Sequence, residues 1–455
     1  MNSFYINNNR TKEFSMHHLT MTKNKFNRYG ALVIFCASML MSSIASVQGG
    51  AYSSPPDADT TTEGFPIVYS GVAMTLGAHA TVSGSIQSVA AVTLGAAAEV
   101  SDSILAGAAV TVERDGTVGG DVTAGAAVTL GASVSVGGDV AARAEVTIGD
   151  SSEISGNVTG SRNITLGNTA KIFGNTTAAN SVTLGAYAEA GTDPAEGTVV
   201  EPNYVRAMSG PIILGALAKV NGNATAGSIV SMGVGAVVSG ASGTAGPVPF
   251  DNKAEEPVAE MTDYLTTYHE ALSLWEPEPG NELATTIATS RAFAPGVYHA
   301  SALTTAAGVT LTFTGTEGND PAHWLINIDT YLSIGANVTI ELVNVAEGST
   351  IIFNAGTYTT IGANSTLRGT IITGTYITTG ANSTVAGIGS HSGGLYAING
   401  AITIGAYGKV EAVEVGSTDP IHAATPQAGM VWINEGSFEM GSPDSEVGRS
   451  GHEGP

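Results

Sequence analysis

The chain has 455 residues, only 12% of them charged and 6% aromatic, with a formal net charge of −23. Globular domains carry about 25% charged residues. So sparse a charge, with 59 glycines, points to a thin repetitive core. The acidic balance disfavours binding to nucleic acid phosphates or anionic lipid.

In chain order, residues 1–49 read as an export signal with a leading segment. Lys23, Lys25 and Arg28 precede the apolar stretch from Ala31 to Met41, and Ser43-Ile-Ala45 or Val47-Gln-Gly49 offers small residues for cleavage. Met21 is an alternative start. A membrane anchor is the rival reading, but the stretch is short of the roughly 20 residues needed to cross a bilayer. Cys36 is the single cysteine, and it falls in the signal. The mature protein is therefore expected to hold no disulfide and no cysteine metal site. Residues 50–70 read as a linker.

From 71 to 250 the pattern Val-Thr-Leu-Gly returns every 18 residues, at Met74, Val92, Val110, Val128, Val146, Ile164 and Val182. After a 12-residue insertion it resumes at Ile212 and Val230. A strict period of this size marks a chain wound into stacked coils. Each unit has three short extended segments. Val92-Thr-Leu94 alternates in, out and in, and Gly95 turns the corner. The second segment repeats an apolar site at Val82, Val100, Val118, Val136, Ile154 and Ile172. The third repeats one at Ile86, Ile104, Val122, Val140 and Val158, before departing to Thr176. Three sides of six residues give an all-β fold, a triangular β-helix (solenoid). The outward residue of the first segment is Thr75, Thr93, Thr111, Thr129, Thr147, Thr165 and Thr183. These threonines are expected to form a straight ladder on a flat, uncharged face. They serve either as a binding surface or simply as good strand residues stacking on themselves.

Residues 251–277 change character. Val258, Met261, Leu265, Tyr268, Leu272 and Trp275 are spaced by three and four, one apolar stripe on an amphipathic helix. Pro257 suits its first turn and Pro277 closes its end. The stripe is expected to pack along the side of the solenoid. From 278 to 416 less regular coils return. Ser333-Ile-Gly-Ala-Asn337, Thr360-Ile-Gly-Ala-Asn364, Thr379-Gly-Ala-Asn382 and Thr403-Ile-Gly-Ala406 recur beside strands rich in Thr.

Three resemblances follow. Val136-Gly-Gly-Asp-Val140 and Ile154-Ser-Gly-Asn-Val158 resemble the bactofilins, polymer-forming bacterial β-helix proteins. The helix followed by Gly296-Val-Tyr298, His323-Trp-Leu-Ile326, Ser349-Thr-Ile-Ile-Phe353, Thr360-Ile-Gly-Ala-Asn-Ser-Thr366 and Leu367-Arg-Gly-Thr-Ile-Ile372 resembles the microbial ice-binding protein family. That likeness spans roughly Leu214 to Val415 and implies a right-handed β-helix braced by one helix. It also implies that Thr-Ala/Gly-X-Thr/Asn patterns mark ice-binding surfaces. Thr379-Gly-Ala-Asn382 and Thr177-Ala-Ala-Asn180 fit that pattern. With Thr357, Thr359, Thr375 and Thr378 on the neighbouring Thr-bearing strands, Thr379 and Asn382 make a C-terminal candidate ice-binding face. The resemblance covers this set, so it is the favoured contact, and the N-terminal ladder either extends the surface or serves as a spacer. Lastly, Met430 to Glu446, with Arg449, resembles the opening of the formylglycine-generating enzyme (sulfatase-modifying factor) domain, after a linker at 417–429. As given, 430–455 is expected to catalyse nothing.

No catalytic constellation stands out. His79, His269, His299, His323, His391 and His422 lack metal-site spacing. Asp121 and Asp139, one coil apart, suit a solvated corner better than an active site. The expectation is a secreted or cell-surface, non-enzymatic protein without cofactor. Its partner would be an ice crystal surface, with no nucleic acid and no small-molecule substrate. The competing readings are a structural or adhesive β-helix that self-associates through its solenoid ends, and a solenoid displaying a C-terminal modifying domain.

Overall fold

A three-residue strand that points in, out and in encloses a core only if the chain turns soon after it. The computed structural model shows this happening coil after coil. It describes residues 66–191, 203–244, 258–315, 320–388 and 393–411. The expected export signal (1–49), the linker 417–429 and the segment 430–455 lie outside the described residues, as does most of the insertion after Ala190. In a representative coil, Val92–Leu94, Glu99–Val100 and Ile104–Ala106 are the three strands. Val92, Leu94, Val100, Ile104 and Ala106 are buried. Stacked coils generate three parallel sheets of 15 strands each. All the apolar sites predicted for the second and third segments line the core, from Val82 to Ile172 and from Ile86 to Val158.

The corner after the first strand works differently from expectation. The left-handed residue is not Gly95 but Ala97, with φ of 55°, and its equivalents in other coils include Ser133 and Asn364. Asn accepts that conformation readily, and Ala less so. Gly95 is needed for space, because a Cβ there would lie 2.8 Å from the backbone nitrogen of Ala78 in the coil below.

The two repeat regions form one stack. Met74 pairs with Ile402, Thr75 with Thr403 and Leu76 with Ile404. Val68–Ser70 lies beside Leu395–Ala397, and Thr81–Ser83 beside Lys409–Glu411. The N-terminal coils thus begin in the middle of the stack and run outward to one end. The C-terminal coils start at the other end and run back to the join. Apolar side chains meet in kind there: Met74 on Ile402, Leu76 on Ile404, Val82 on Val410. Val68–Ser70 is already a strand, so the first coil starts inside the expected 50–70 linker.

The helix Val258–Ser273 braces one sheet, here called the helix-side sheet. The C-terminal strands of that sheet, such as His323–Ile328 and Thr350–Ala355, are longer and buried on both faces, as strands covered on both sides are. Met261, Leu265, Tyr268, Leu272 and Trp275 of the predicted stripe pack, together with Tyr264, on Tyr69, Val297, Leu325, Ile352, Ile372 and Tyr396. Sheet side chains add hydrogen bonds to the carbonyls at the C-terminal end of the helix, where the intrahelical ladder runs out; the Leu272 carbonyl also accepts the Trp275 N–H and that of His269 the Ser273 hydroxyl. Asn327 Nδ2 donates to the carbonyls of Leu272 (2.8 Å) and Trp275 (3.1 Å). Asn354 Nδ2 reaches the carbonyl of His269 and the Ser273 hydroxyl.

Near the helix end, His299 ties neighbouring coils together. Its Nδ1 lies 2.8 Å from Glu282 Oε2 and its Nε2 2.9 Å from Asp329 Oδ1. The hydrogen bonds to Glu282 and Asp329 raise its pKa, outweighing the opposing effect of desolvation. A raised folded-state pKa gives stability that is fully present below the unfolded value of about 6.5 and fades as pH rises through the folded value. Hydrogen exchange at residues 296–300 should therefore quicken as pH rises through that window, after correction for intrinsic exchange. A His299→Gln variant should lose this dependence.

Candidate functional site

The three outer faces differ in what they offer. The helix-side sheet is covered along its C-terminal strands. A second sheet carries charge: Glu153, Lys171, Glu189 and Lys219 alternate on adjacent strands, and Lys171 Nζ is 3.6 Å from Glu153 Oε1. The third, the ladder sheet, bears one outward residue per coil with no charge at all. From end to end that column reads Thr286, Thr304, Ser333, Thr360, Thr378, Thr403, Thr75, Thr93, Thr111, Thr129, Thr147, Thr165, Thr183, Ile213 and Ser231. Each is the direct register partner of the next. At about 4.8 Å per rung the column runs roughly 67 Å.

Every one of the N-terminal threonines, Thr75 to Thr183, stands outward on this sheet, between buried neighbours. The C-terminal candidates divide. Thr378 is an exposed rung. Thr359 and Thr379 point inward and are buried; the Thr379 hydroxyl accepts a hydrogen bond from the Gly405 N–H. Thr357 and Thr375 sit at the corner before the strand, and their hydroxyls donate to the carbonyls of Thr330 and Thr357, each at 2.8 Å. Asn382 is a left-handed corner residue whose amide donates to Asn364. Thr177 lies on the helix-side sheet, paired with Arg206, so its motif faces away from the ladder. Thr286, Thr304, Ser333, Thr360 and Thr403 complete the column and were not singled out from sequence. Their signal was positional: Ser333, Thr360 and Thr403 each stand two residues before a glycine, as Thr93 stands before Gly95.

The margins of the face vary along its length. Two residues before the rung stand Ala73, Ala91, Ala109 and Ala127, and two after it Gly77, Gly95 and Gly131. Charge enters the margins at Glu113 and at Glu145, which lies 3.8 Å from exposed Arg162. In the C-terminal coils the alanine column is replaced by Tyr331, Tyr358 and Tyr376. Their rings stack at 5.2 and 4.9 Å, within 7° of parallel.

Asp121 and Asp139 belong to another corner and do structural work there. Asp121 Oδ1 accepts the Asp139 N–H at 2.7 Å, Asp139 Oδ1 accepts that of Asn157, and Asn157 Oδ1 that of Asn175. Each side chain thereby satisfies a backbone donor of the next coil. Among the described residues, no group of three or more His, Cys, Asp or Glu is placed to hold a metal ion, and no helix is long and apolar enough to cross a membrane.

A solenoid that repeats one small hydroxyl residue along most of one face has the geometry for contact with an extended, regular surface. Residues 238–408 match the family model described as ice-binding-like. That span takes in the helix and the C-terminal coils; the ladder from Thr75 to Thr183 lies outside it. No curated protein matches the chain. Among solved structures, the chain is similar to an ice-binding protein from the Antarctic ascomycete Antarctomyces psychrotrophicus, with 20% identity and a TM-score of 0.29. That alignment covers 46% of this chain and 90% of the other. It is also similar to ice-binding protein 1 of Shewanella frigidimarina, with 18% identity over 49% of this chain and 98% of the other and a TM-score of 0.29. A third likeness is to an ice-binding protein from an Antarctic Flavobacteriaceae bacterium, with 13% identity, coverage of 77% and 97%, and a TM-score of 0.30.

Proposed function

We propose that this protein is a secreted, non-enzymatic binder of ice crystals, and that the ladder sheet is its contact face. The observation that carries this reading is the unbroken register of hydroxyl rungs across the join, from Thr286 to Thr183. The ice-binding-like match over residues 238–408 supports the ice-binding part of this reading independently. Ice has no pocket and no net charge. A binder must hold many weak contacts in fixed positions, and a stack of hydrogen-bonded coils fixes them before binding, which lowers the ordering cost. Each Thr presents a methyl to the lattice and a hydroxyl that orders water. The contact set consists of Thr75, Thr93, Thr111, Thr129, Thr147, Thr165 and Thr183 with Thr403, Thr378, Thr360, Ser333, Thr304 and Thr286. Thr359 and Thr379 face the core, and Thr357 and Thr375 spend their hydroxyls on carbonyls, so none of these four belongs to it.

The test is ice-affinity partition of the purified chain, read together with thermal hysteresis. Enrichment in the ice fraction and a measurable hysteresis gap are expected. A protein that stays in the liquid and leaves crystal growth unchanged would overturn the reading in favour of a structural or adhesive solenoid.

A further inference from the structure

The two ends of the stack differ. At the C-terminal-half end, Asn281–Leu283 lies along the edge strand Gly296–Ala300: Leu283 N donates to the His299 carbonyl and His299 N to that of Asn281. Ile287, Phe293 and Tyr298 are buried there, and Glu282 and Asp329 bring negative charge beside them. The other end is the coil made by Val230–Met232, Val237–Val238 and Ser242–Thr244. Among the described residues, nothing pairs with the outer edges of these three strands.

The end coil is also apolar and carries no charge of its own; the nearest charge is Lys219 on the coil beneath, the register partner of Val237. Ile213, Leu217, Ile229, Met232, Val234 and Val237 are all exposed, with Val234 at 87% and Ile229 at 59%. Contiguous exposed apolar surface marks an interaction site, and an open strand edge is a template for another strand. From Val220 to Thr244 there is no Asp, Glu, Lys, Arg or His, in a chain of net charge −23. The hydroxyl ladder itself gives way to Ile213 at this point.

We propose that this open coil is a self-association surface, and that two copies of the chain dock there, end to same end, about a twofold axis. The shape argues for a second copy. Three strand edges set in a triangle are matched together only by another coil end. The opposite end of a second copy is partly occupied and acidic, so a head-to-tail contact would bury carboxylates against apolar edges. The twofold contact is self-complementary and closes at two copies. It reverses the sense of winding across the interface, so facing edge strands pair antiparallel, which is a sound ladder. With no carboxylate on the end coil, two acidic chains meet there without placing like charges against each other.

The test is the mass of the full chain in solution, by sedimentation or light scattering, from about 1 µM to about 100 µM. Twice the monomer mass is expected at the upper concentrations, falling to the monomer on dilution. Val234→Asp places two carboxylates in the interface and should weaken the dimer by at least about a hundredfold, the effect of uncompensated buried charge. Its circular dichroism and melting temperature, measured at dilutions where the wild type is monomeric, should be unchanged. Val237→Lys gives the same reading should Val234→Asp fail to fold. A monomer at every concentration overturns the proposal, as does a mass that climbs into filaments or a dimer untouched by either variant. A wild-type monomer that both variants destabilise would assign the coil end to another segment of the same chain. Ice partition is read on the same samples: a monomeric variant that still adsorbs to ice separates this proposal from the ice-contact assignment.

Discussion

Replacing Thr75 with Tyr should remove most of the thermal hysteresis and leave the melting temperature where it was. Thr75 is an exposed rung flanked by Thr403 and Thr93. Ala73 and Gly77 stand beside it, so a phenol ring there projects past its small neighbours. The ring would hold the ice lattice off the rungs on both sides and divide one long contact into two short ones. Ice adsorption is expected to fall at least about tenfold, or about 1.4 kcal/mol. Surface substitutions away from special features stay within about 0.5 kcal/mol in stability, so circular dichroism and melting should not report the change. Two controls make the result specific. Thr117→Tyr adds the same ring to an exposed position of the charged sheet and should leave ice activity intact. Thr359→Val removes a buried hydroxyl that has no hydrogen-bond partner and should be neutral or slightly stabilising, with full ice activity. Undiminished hysteresis in Thr75→Tyr, or equal loss in Thr117→Tyr, would take the ladder sheet out of the contact.

The sequence is most readable where one position repeats one kind of side chain. The 18-residue return of Val-Thr-Leu-Gly reveals coil length, the three sides and the outward threonines, because alternation within a strand decides which residue faces water. The helix is readable for the same reason. The C-terminal rungs were harder. In Tyr358-Thr-Thr-Ile361 and Ile377-Thr-Thr379, adjacent threonines must point to opposite sides, and composition does not say which. Distance from the turn glycine does: Thr360 and Thr378 are each two residues before it, whereas Thr359 and Thr379 are not. The join is of another kind. Nothing local to Thr75 or Thr403 predicts that they touch, since their pairing spans most of the chain and rests on whole coils matching in size. The carboxylates of Asp121 and Asp139 were legible as corner residues, but not as acceptors for the next coil, since a corner's hydrogen bonds depend on backbone direction.

Gly71→Val tests whether the two halves act as one body. A Cβ at Gly71 would lie 1.8 Å from the carbonyl oxygen of Ile398 and 2.6 Å from its carbon, and the Gly71 N–H donates to the Ala397 carbonyl at 2.8 Å. Backbone cannot step aside as a side-chain tip can, so the first N-terminal coil must lift from the last C-terminal one. The cost expected from such overpacking is about 3 kcal/mol. Where it falls matters more than its size. Solenoid stability is close to a sum of coil and nearest-neighbour terms, so damage at an end trims one coil, while damage at the join frees two new ends. Hydrogen exchange should quicken at Gly77 and in Leu395–Ala397, and melting should separate into two transitions. Gly243→Ala, in the end coil where a Cβ meets nothing within 4 Å, should leave a single transition. One unshifted transition in Gly71→Val would mean the coils do not meet at the join. Ice activity should fall with the join even though no rung has been altered, because a ladder broken between Thr403 and Thr75 is two ladders no longer held in one register.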